Sequence, residues 1–111
     1  MSLAGMGDLF KLIGQADKIK DEMAKVKERA AARSVEGEAG GGLVKATANG
    51  VGEILNVTID PEALKDPETL GPLIAAAANV ALQKSRELLM EESQKAAQEF
   101  GINLPPGMFG S

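Results

Sequence analysis

The chain has no cysteine, histidine, tryptophan or tyrosine, and its three aromatic residues are all phenylalanine. Without thiols and imidazoles, the sequence excludes disulfides, thiolate nucleophiles, imidazole bases and the usual zinc ligands. No apolar run approaches the ~20 residues that span a bilayer, and the N-terminus lacks a signal peptide's basic start and long apolar stretch. We therefore expect a cytoplasmic protein that needs no cofactor or metal.

The charges of the chain are unevenly distributed. Its 111 residues carry a net charge of −4, which by itself argues against a polyanionic partner. Residues 8–33, however, hold seven bases and five acids, whereas residues 34–111 hold five bases and eleven acids. A chain of this length is one small domain, 1–111, with a thin core, so a second copy is a reasonable source of further buried surface.

Helical periodicity is strongest near the N-terminus. Apolar residues recur there at alternating steps of three and four, the spacing of a helix with one apolar seam, and the series is Leu9, Leu12, Ala16, Ile19, Met23, Val26 and Ala30. This pattern predicts a helix over 8–33. Such a helix is long for a small domain, so part of it should project from the body or pair with another helix.

The middle of the chain alternates with a period of two, which predicts a three-stranded antiparallel sheet over 34–60. Three consecutive glycines, 40–42, precede the second strand, and Asn49-Gly50 favours a type I′ turn after it. A glycine-rich loop can also cradle a phosphate, but a P-loop needs a Lys followed by Ser or Thr at a helix start, and the glycines here lead into a strand. We therefore interpret the glycines as strand connections.

The C-terminal part predicts a long helix that covers the sheet. Asp66-Pro67 is typical of a helix start, Gly71-Pro72 predicts a break, and the alanine-rich run "LIAAAANVAL" suits a buried cover that approaches the sheet closely. We expect this helix over 66–100, its second half forming another projecting arm, and a flexible tail over 101–111.

From residue 35 onward, the chain carries in order the blocks "VEGEAGGGLVKATANG", "VTIDPEAL", "DPETL", "LIAAAANVAL" and "LPPG". Together these blocks resemble the YbaB/EbfC family of bacterial nucleoid-associated proteins, and the likeness covers nearly the whole chain in the same order. The glycine block followed by Ile-Asp-Pro is the most specific of them, whereas the first helix matches only in character.

The resemblance implies an α-β-β-β-α protomer of the α+β class, a tweezer-like homodimer, and binding to double-stranded DNA with little demand on sequence. It further implies that the helical arms contact phosphates and that the protein acts in the nucleoid, affecting its organisation and gene expression. The matching arm residues are Lys11, Lys18 and Lys25, spaced by seven, together with Lys20, Lys27, Arg29 and Arg33.

Other interpretations of the same residues stay open. A mixed-charge helix face is often only solvated surface, with Lys18 paired to Glu22 and Lys25 to Asp21. An interaction scaffold without direct DNA contact suits the acidic net charge. An enzyme is the weakest alternative, because its only carboxylate cluster, Asp60, Glu62 and Asp66, is already explained by a turn and a helix cap. We therefore expect no catalytic activity.

Overall fold

The computed structural model describes the backbone of residues 3–99 and the side chains of residues 17–99. Helix α1 (Leu3–Ala32) leads into strands β1 (Ser34–Ala39), β2 (Val44–Asn49) and β3 (Ile54–Ile59). A 3-10 helix (Pro61–Lys65) then precedes helix α2 (Pro67–Glu99). The strands form one antiparallel sheet in the order β1-β2-β3. The predicted α-β-β-β-α protomer is thereby confirmed.

Both long helices differ in extent from the prediction. Helix α1 begins at Leu3 rather than residue 8, and α2 continues through Gly71-Pro72, so the predicted break is wrong. Pro72 lies within the first two turns of α2, where its missing N–H removes a single backbone bond. The packing of the following alanines on the sheet outweighs that loss. The predicted tail over 101–111 lies outside the described residues.

The core between sheet and α2 is built from small residues. Ala46 on β2 and Ala77 and Ala81 on α2 are fully buried. Opposite Ala46, β1 carries Gly37, and a Cβ there would lie 2.3 Å from the Ala81 backbone nitrogen. Since real Cβ atoms do not approach so closely, α2 can rest on β1 only because residue 37 is glycine. The predicted role of the alanine-rich run as a close-packed cover is confirmed for these positions.

Strand β3 contains an irregularity that the alternating pattern did not reveal. Asn56 pairs with Thr47, but Ala48 pairs with Ile54, so a bulge leaves Leu55 as the extra residue. In the sequence, Leu55, Val57 and Ile59 alternate with Asn56 and Thr58, which predicts that all three share one apolar face, and for Leu55 this prediction is wrong. Ile54 takes that place instead.

The connections between the strands also differ from the prediction. Gly40, Gly41 and Gly42 all have positive φ in the β1–β2 turn. Neither Asn49 nor Gly50 does, so the predicted type I′ turn is wrong. The Asn49 side chain instead shapes a longer turn, in which its Oδ1 accepts hydrogen bonds from the Val51 and Glu53 amides, both at 3.1 Å.

The molecule is elongated, with principal extents of 74 × 23 × 20 Å. Helix α1 packs against α2, and the two are longer than any strand of the sheet. We call residues 17–33, which comprise the second half of α1 and the residue after it, together with the part of α2 that they contact, the arm. The predicted projecting helix is thus a pair of helices.

Candidate nucleic-acid interface

The orientation of α1 on α2 follows from Val26 and Ala30, which are the fully buried residues in the part of α1 whose side chains the structure describes, from residue 17 onward. At 100° per residue, cationic side chains lie on both sides of this buried line. One side, which we call the arginine flank, carries Lys18, Lys25, Arg29 and Arg33. The other, the lysine flank, carries Lys20 and Lys27. All six residues are exposed.

The acids of α1 are segregated from much of this positive charge. Asp17, Asp21 and Glu28 lie opposite the buried line and face solvent. A polyanion approaching the outward face of the arm would therefore meet carboxylates first. The favourable approach is along a flank, where the cations lie beside the α1–α2 contact.

The arginine flank is tied to α2 by ion pairs. Arg33 Nη1 donates to Glu92 Oε1 at 2.8 Å, and Arg29 Nε donates to Glu92 Oε2 at 3.3 Å. Glu91 Oε1 also lies 3.7 Å from Arg33 Nη1. Only 7% of the Glu92 side chain is exposed, so its charge depends on these two partners. We call this group of four residues the clasp.

The hydrogen bond between Arg33 and Glu92 shifts the pKa of both residues. The hydrogen bond from Arg33 lowers the pKa of Glu92, and this outweighs desolvation, which acts in the opposite direction; the bond from Arg29 adds to the lowering. The same hydrogen bond to Glu92 raises the pKa of Arg33. Glu92 and Arg33 are therefore both ionised at neutral pH.

The base of the arm is fixed by the backbone of the β2–β3 turn. The Gly50 amide donates to the Ala30 carbonyl at 2.9 Å, one of the last carbonyls of α1. A Cβ at Gly50 would lie 2.7 Å from that oxygen and 3.0 Å from Leu88 Cδ2. Gly50 is thus required for close approach between three elements, although its φ is not positive.

The ion pairs predicted within α1 are wrong in detail. Lys25 Nζ contacts Glu22 Oε1 at 3.4 Å, three residues away, rather than Asp21. Lys18, Lys20 and Lys27 form no ion pair within residues 17–99, because no carboxylate oxygen there lies within 4 Å of their Nζ atoms. The side chain of Lys11 lies outside the described residues. The structure therefore leaves most of the predicted lysines available to a ligand.

The two edges of the sheet differ in polarity. On β1, which we call the closed edge, Glu36 and Glu38 are exposed, and Lys84 Nζ donates to the Glu36 carbonyl at 2.9 Å. On β3, the open edge, the sequence "ILNVTI" has no charge, and Ile54, Leu55 and Val57 are 39%, 56% and 36% exposed. An uncharged apolar edge strand is a template for association.

The carboxylate cluster considered for catalysis serves local structure. Asp60 Oδ1 accepts from the Glu62 amide at 2.9 Å and so caps the 3-10 helix. Glu62 pairs with Lys65 at 3.0 Å, and the Asp66 carbonyl accepts from Thr69 Oγ1 at 3.1 Å. Within the described residues there is no group of acids that could hold a metal ion.

The clasp was missed by the sequence analysis. Arg29 and Arg33 were grouped with the lysines as cations of one helix, and Glu92 was not separated from its neighbour Glu91. A weak signal exists, because Glu92 follows Leu88 and precedes Ala96 at steps of four, which places a charge within the apolar stripe of α2. A charge in such a stripe requires a partner from the facing helix.

Comparison with known proteins agrees with this arrangement. Residues 6–100 match the YbaB/EbfC DNA-binding family. A nucleoid-associated protein of Caldanaerobacter subterraneus is 40% identical over 100 residues, covering 88% of this chain and 87% of that protein. One of Streptomyces avermitilis is 39% identical over 106 residues, covering 94% of each.

The same fold occurs in a crystal structure of an uncharacterized protein from Helicobacter pylori. Its TM-score is 0.59 at 24% identity, and the match covers 78% of this chain and 98% of that one. This likeness concerns the fold alone. As to membranes, no helix within the described residues is long and apolar enough to cross one.

Proposed function

Because the chain belongs to the YbaB/EbfC DNA-binding family, we propose that it is a nucleoid-associated protein that binds double-stranded DNA as a homodimer with little sequence preference. Its helical arms contact phosphates, and its place is the nucleoid in the cytoplasm, where it affects DNA organisation and gene expression. The proposal includes no catalytic role and no cofactor.

The observation that carries the proposal is the set of exposed cations along the arm. They flank the buried line of α1, while Asp17, Asp21 and Glu28 face away from it. Lysines at such positions neutralise phosphates and release condensed counterions, which gives affinity without reading bases. Although the whole chain is acidic, the arm therefore offers a duplex local stretches of positive charge.

Low sequence preference follows from the kind of side chains present. The lysines of the arm are flexible point charges, suited to phosphates rather than to the fixed donor pattern of a base edge. The three phenylalanines also offer little surface on which unpaired bases could stack. A regular duplex, recognised by its charge and shape, is the ligand that fits best.

The homodimer is supported by the open edge. Val57 pairs with the fully buried Ala46, so it lies on the face that α2 covers, yet it remains 36% exposed because α2 packs mainly on β1 and β2. A second copy that covers β3 would bury Ile54, Val57 and their neighbours. It would also place two arms on one particle, which doubles the phosphates that can be contacted.

The test is a fluorescence anisotropy titration at low salt with two labelled duplexes of unrelated sequence and one of the constituent single strands. We expect the duplexes to bind with affinities within about threefold of each other, since phosphate contacts carry no base information. The single strand should bind more weakly.

Absence of duplex binding by a folded dimer would contradict the proposal and favour the interaction scaffold. A strong preference for one duplex would contradict the low sequence preference alone.

A further inference from the structure

The two flanks of α1 differ in how much of their positive charge is compensated. Side chains three and four residues apart are neighbours on a helix. On the arginine flank, Lys18 has Asp21 and Glu22 at these distances, and Lys25 has Asp21, Glu22 and Glu28. Each lysine there has at least two acids within reach.

The lysine flank lacks such neighbours. Lys27 is surrounded at these spacings by Met23, Ala24, Ala30 and Ala31, and Lys20 has only Asp17. Neither side chain lies within 4 Å of a carboxylate among residues 17–99. The charge of this flank is therefore more exposed to a ligand than that of Lys25, which already contacts Glu22 at 3.4 Å.

The partner helix adds to the difference. Within residues 17–99, the acids of α2 that form ion pairs across the helix contact are Glu91 and Glu92, and both pair with the arginine flank, through Arg33 and Arg29. A phosphate that approached this flank would meet Glu91, which is half-exposed, and would compete with Glu92 for the arginines. Removing an arginine from the clasp would leave the buried Glu92 carboxylate with only one of its two partners.

We infer that the two flanks have different roles: Lys20 and Lys27 bind the DNA phosphates, whereas Arg29 and Arg33 hold α1 on α2. This inference rests on the DNA binding proposed above and names the face of the arm that meets the duplex. The two lysines are about 10 Å apart along the helix, a length over which a duplex presents about six phosphates. Each lysine can therefore reach a phosphate of its own.

The chain offers a matched pair of variants for the test. Lys20→Gln/Lys27→Gln and Lys18→Gln/Lys25→Gln each remove two lysines seven residues apart, on opposite sides of the same buried line. Both double variants change the net charge equally, so a difference in their duplex affinities reflects the position of the lysines rather than the total charge. Lys20→Arg/Lys27→Arg keeps the charge and serves as the rescue variant.

The measurement is duplex affinity of the full chain at four or more salt concentrations, with helicity and oligomeric state checked for each variant. Since the logarithm of affinity falls by about 0.9 per phosphate contact for each tenfold rise in salt, K20Q/K27Q should reduce the slope by about 3 to 4 per dimer. Its affinity at low salt should fall at least about tenfold. K18Q/K25Q should change the slope by less than about 1, and K20R/K27R should bind like the wild type.

Equal losses in the two glutamine variants, or a larger loss in K18Q/K25Q, would overturn this inference while leaving the proposed function intact. Failure of the wild type to bind at low salt would overturn both. If K20Q/K27Q does not fold, K27Q alone should reduce the slope by about half as much, and an unchanged slope would again contradict the inference.

Discussion

The two edge strands of the sheet differ in how well a single protomer protects them. At the closed edge, α2 rests directly on Gly37, and Lys84 donates a hydrogen bond to the Glu36 carbonyl. The exposed side chains of this edge include carboxylates. At the open edge, apolar side chains as large as leucine remain exposed and no charge interrupts the strand. Because proteins usually protect edge strands with charge or cover, the difference supports the proposed homodimer, in which a second copy of the chain would cover the open edge.

The largest expected effect is at the closed edge. Gly37→Ala places a Cβ 2.3 Å from the Ala81 nitrogen and 2.5 Å from the Ala77 carbonyl oxygen, so α2 must move off the sheet. We expect the free energy of unfolding to fall by about 3 kcal/mol or more, as in severe overpacking. Urea unfolding followed by circular dichroism measures the change. A stability near that of the wild type would show that the close contact is not required.

The second effect concerns the open edge. Val57→Asp should convert the dimer to a monomer, since a charge would have to be buried in the interface. The protomer should retain its helicity, because Val57 is already 36% exposed without a partner. Sedimentation velocity with interference detection is suitable, as the chain has no Trp or Tyr.

Thr58→Asp provides the control for Val57→Asp. Thr58 follows Val57 on the same strand, pairs with Lys45 and points to the opposite face of the sheet. The substitution Thr58→Asp should therefore leave the dimer intact. Dissociation in both variants, or in neither, would mean that the inner face of β3 is not the interface.

A smaller effect is expected at the clasp, which joins the end of α1 to α2. Its hydrogen bonds lower the pKa of Glu92 in the folded state, so the stabilisation is present above the unfolded pKa and is lost as the pH falls through the folded pKa. Glu92→Gln should therefore lower the melting temperature at pH 7 and flatten its decrease below about pH 4.5. Glu91→Gln, at a half-exposed position, is the control and should have little effect. Identical pH profiles for wild type and Glu92→Gln would contradict the role of the clasp.

The smallest effect is at the β1–β2 turn. Gly41 has a φ of 67° but no atom within 4 Å of a Cβ at that position. Gly41→Ala should cost only the strain of the left-handed conformation, about 1 to 2 kcal/mol, and Gly41→Asn should cost less. The comparison with Gly37→Ala, by urea unfolding, separates backbone strain from steric overlap. A loss of stability in Gly41→Ala as large as that in Gly37→Ala would show that the turn and the closed edge are equally constrained.

Much of the fold was predictable because periodicity records which residues face the core. The seam of α1 includes Val26 and Ala30, and the alternation of β2 includes Ala46, and all three are fully buried. The bulge at Leu55 and the path of α2 through Pro72 were not predictable, because both depend on tertiary packing that outweighs local preference. Alternation alone cannot indicate which residue of β3 is the extra one.

For the candidate site, the sequence identified the cations but not their different surroundings. Arg29 and Lys27 are two residues apart and equally basic, yet only Arg29 reaches Glu92, 63 residues later in the chain. A contact over that separation depends on how α1 lies on α2, which no local spacing specifies. The same holds for Gly50, which was expected to provide a positive φ and instead provides space for the Ala30 carbonyl.

The most direct test of the account combines the open edge with DNA binding: the salt dependence of duplex affinity for Val57→Asp, compared with wild type and Thr58→Asp. If the dimer presents two arms to one duplex, the monomeric variant should contact about half the phosphates, so its slope should be about half that of the other two. Its affinity at low salt should fall accordingly. An unchanged slope for a proven monomer, or no duplex binding by the wild type, would contradict the claim that two arms joined through β3 bind DNA.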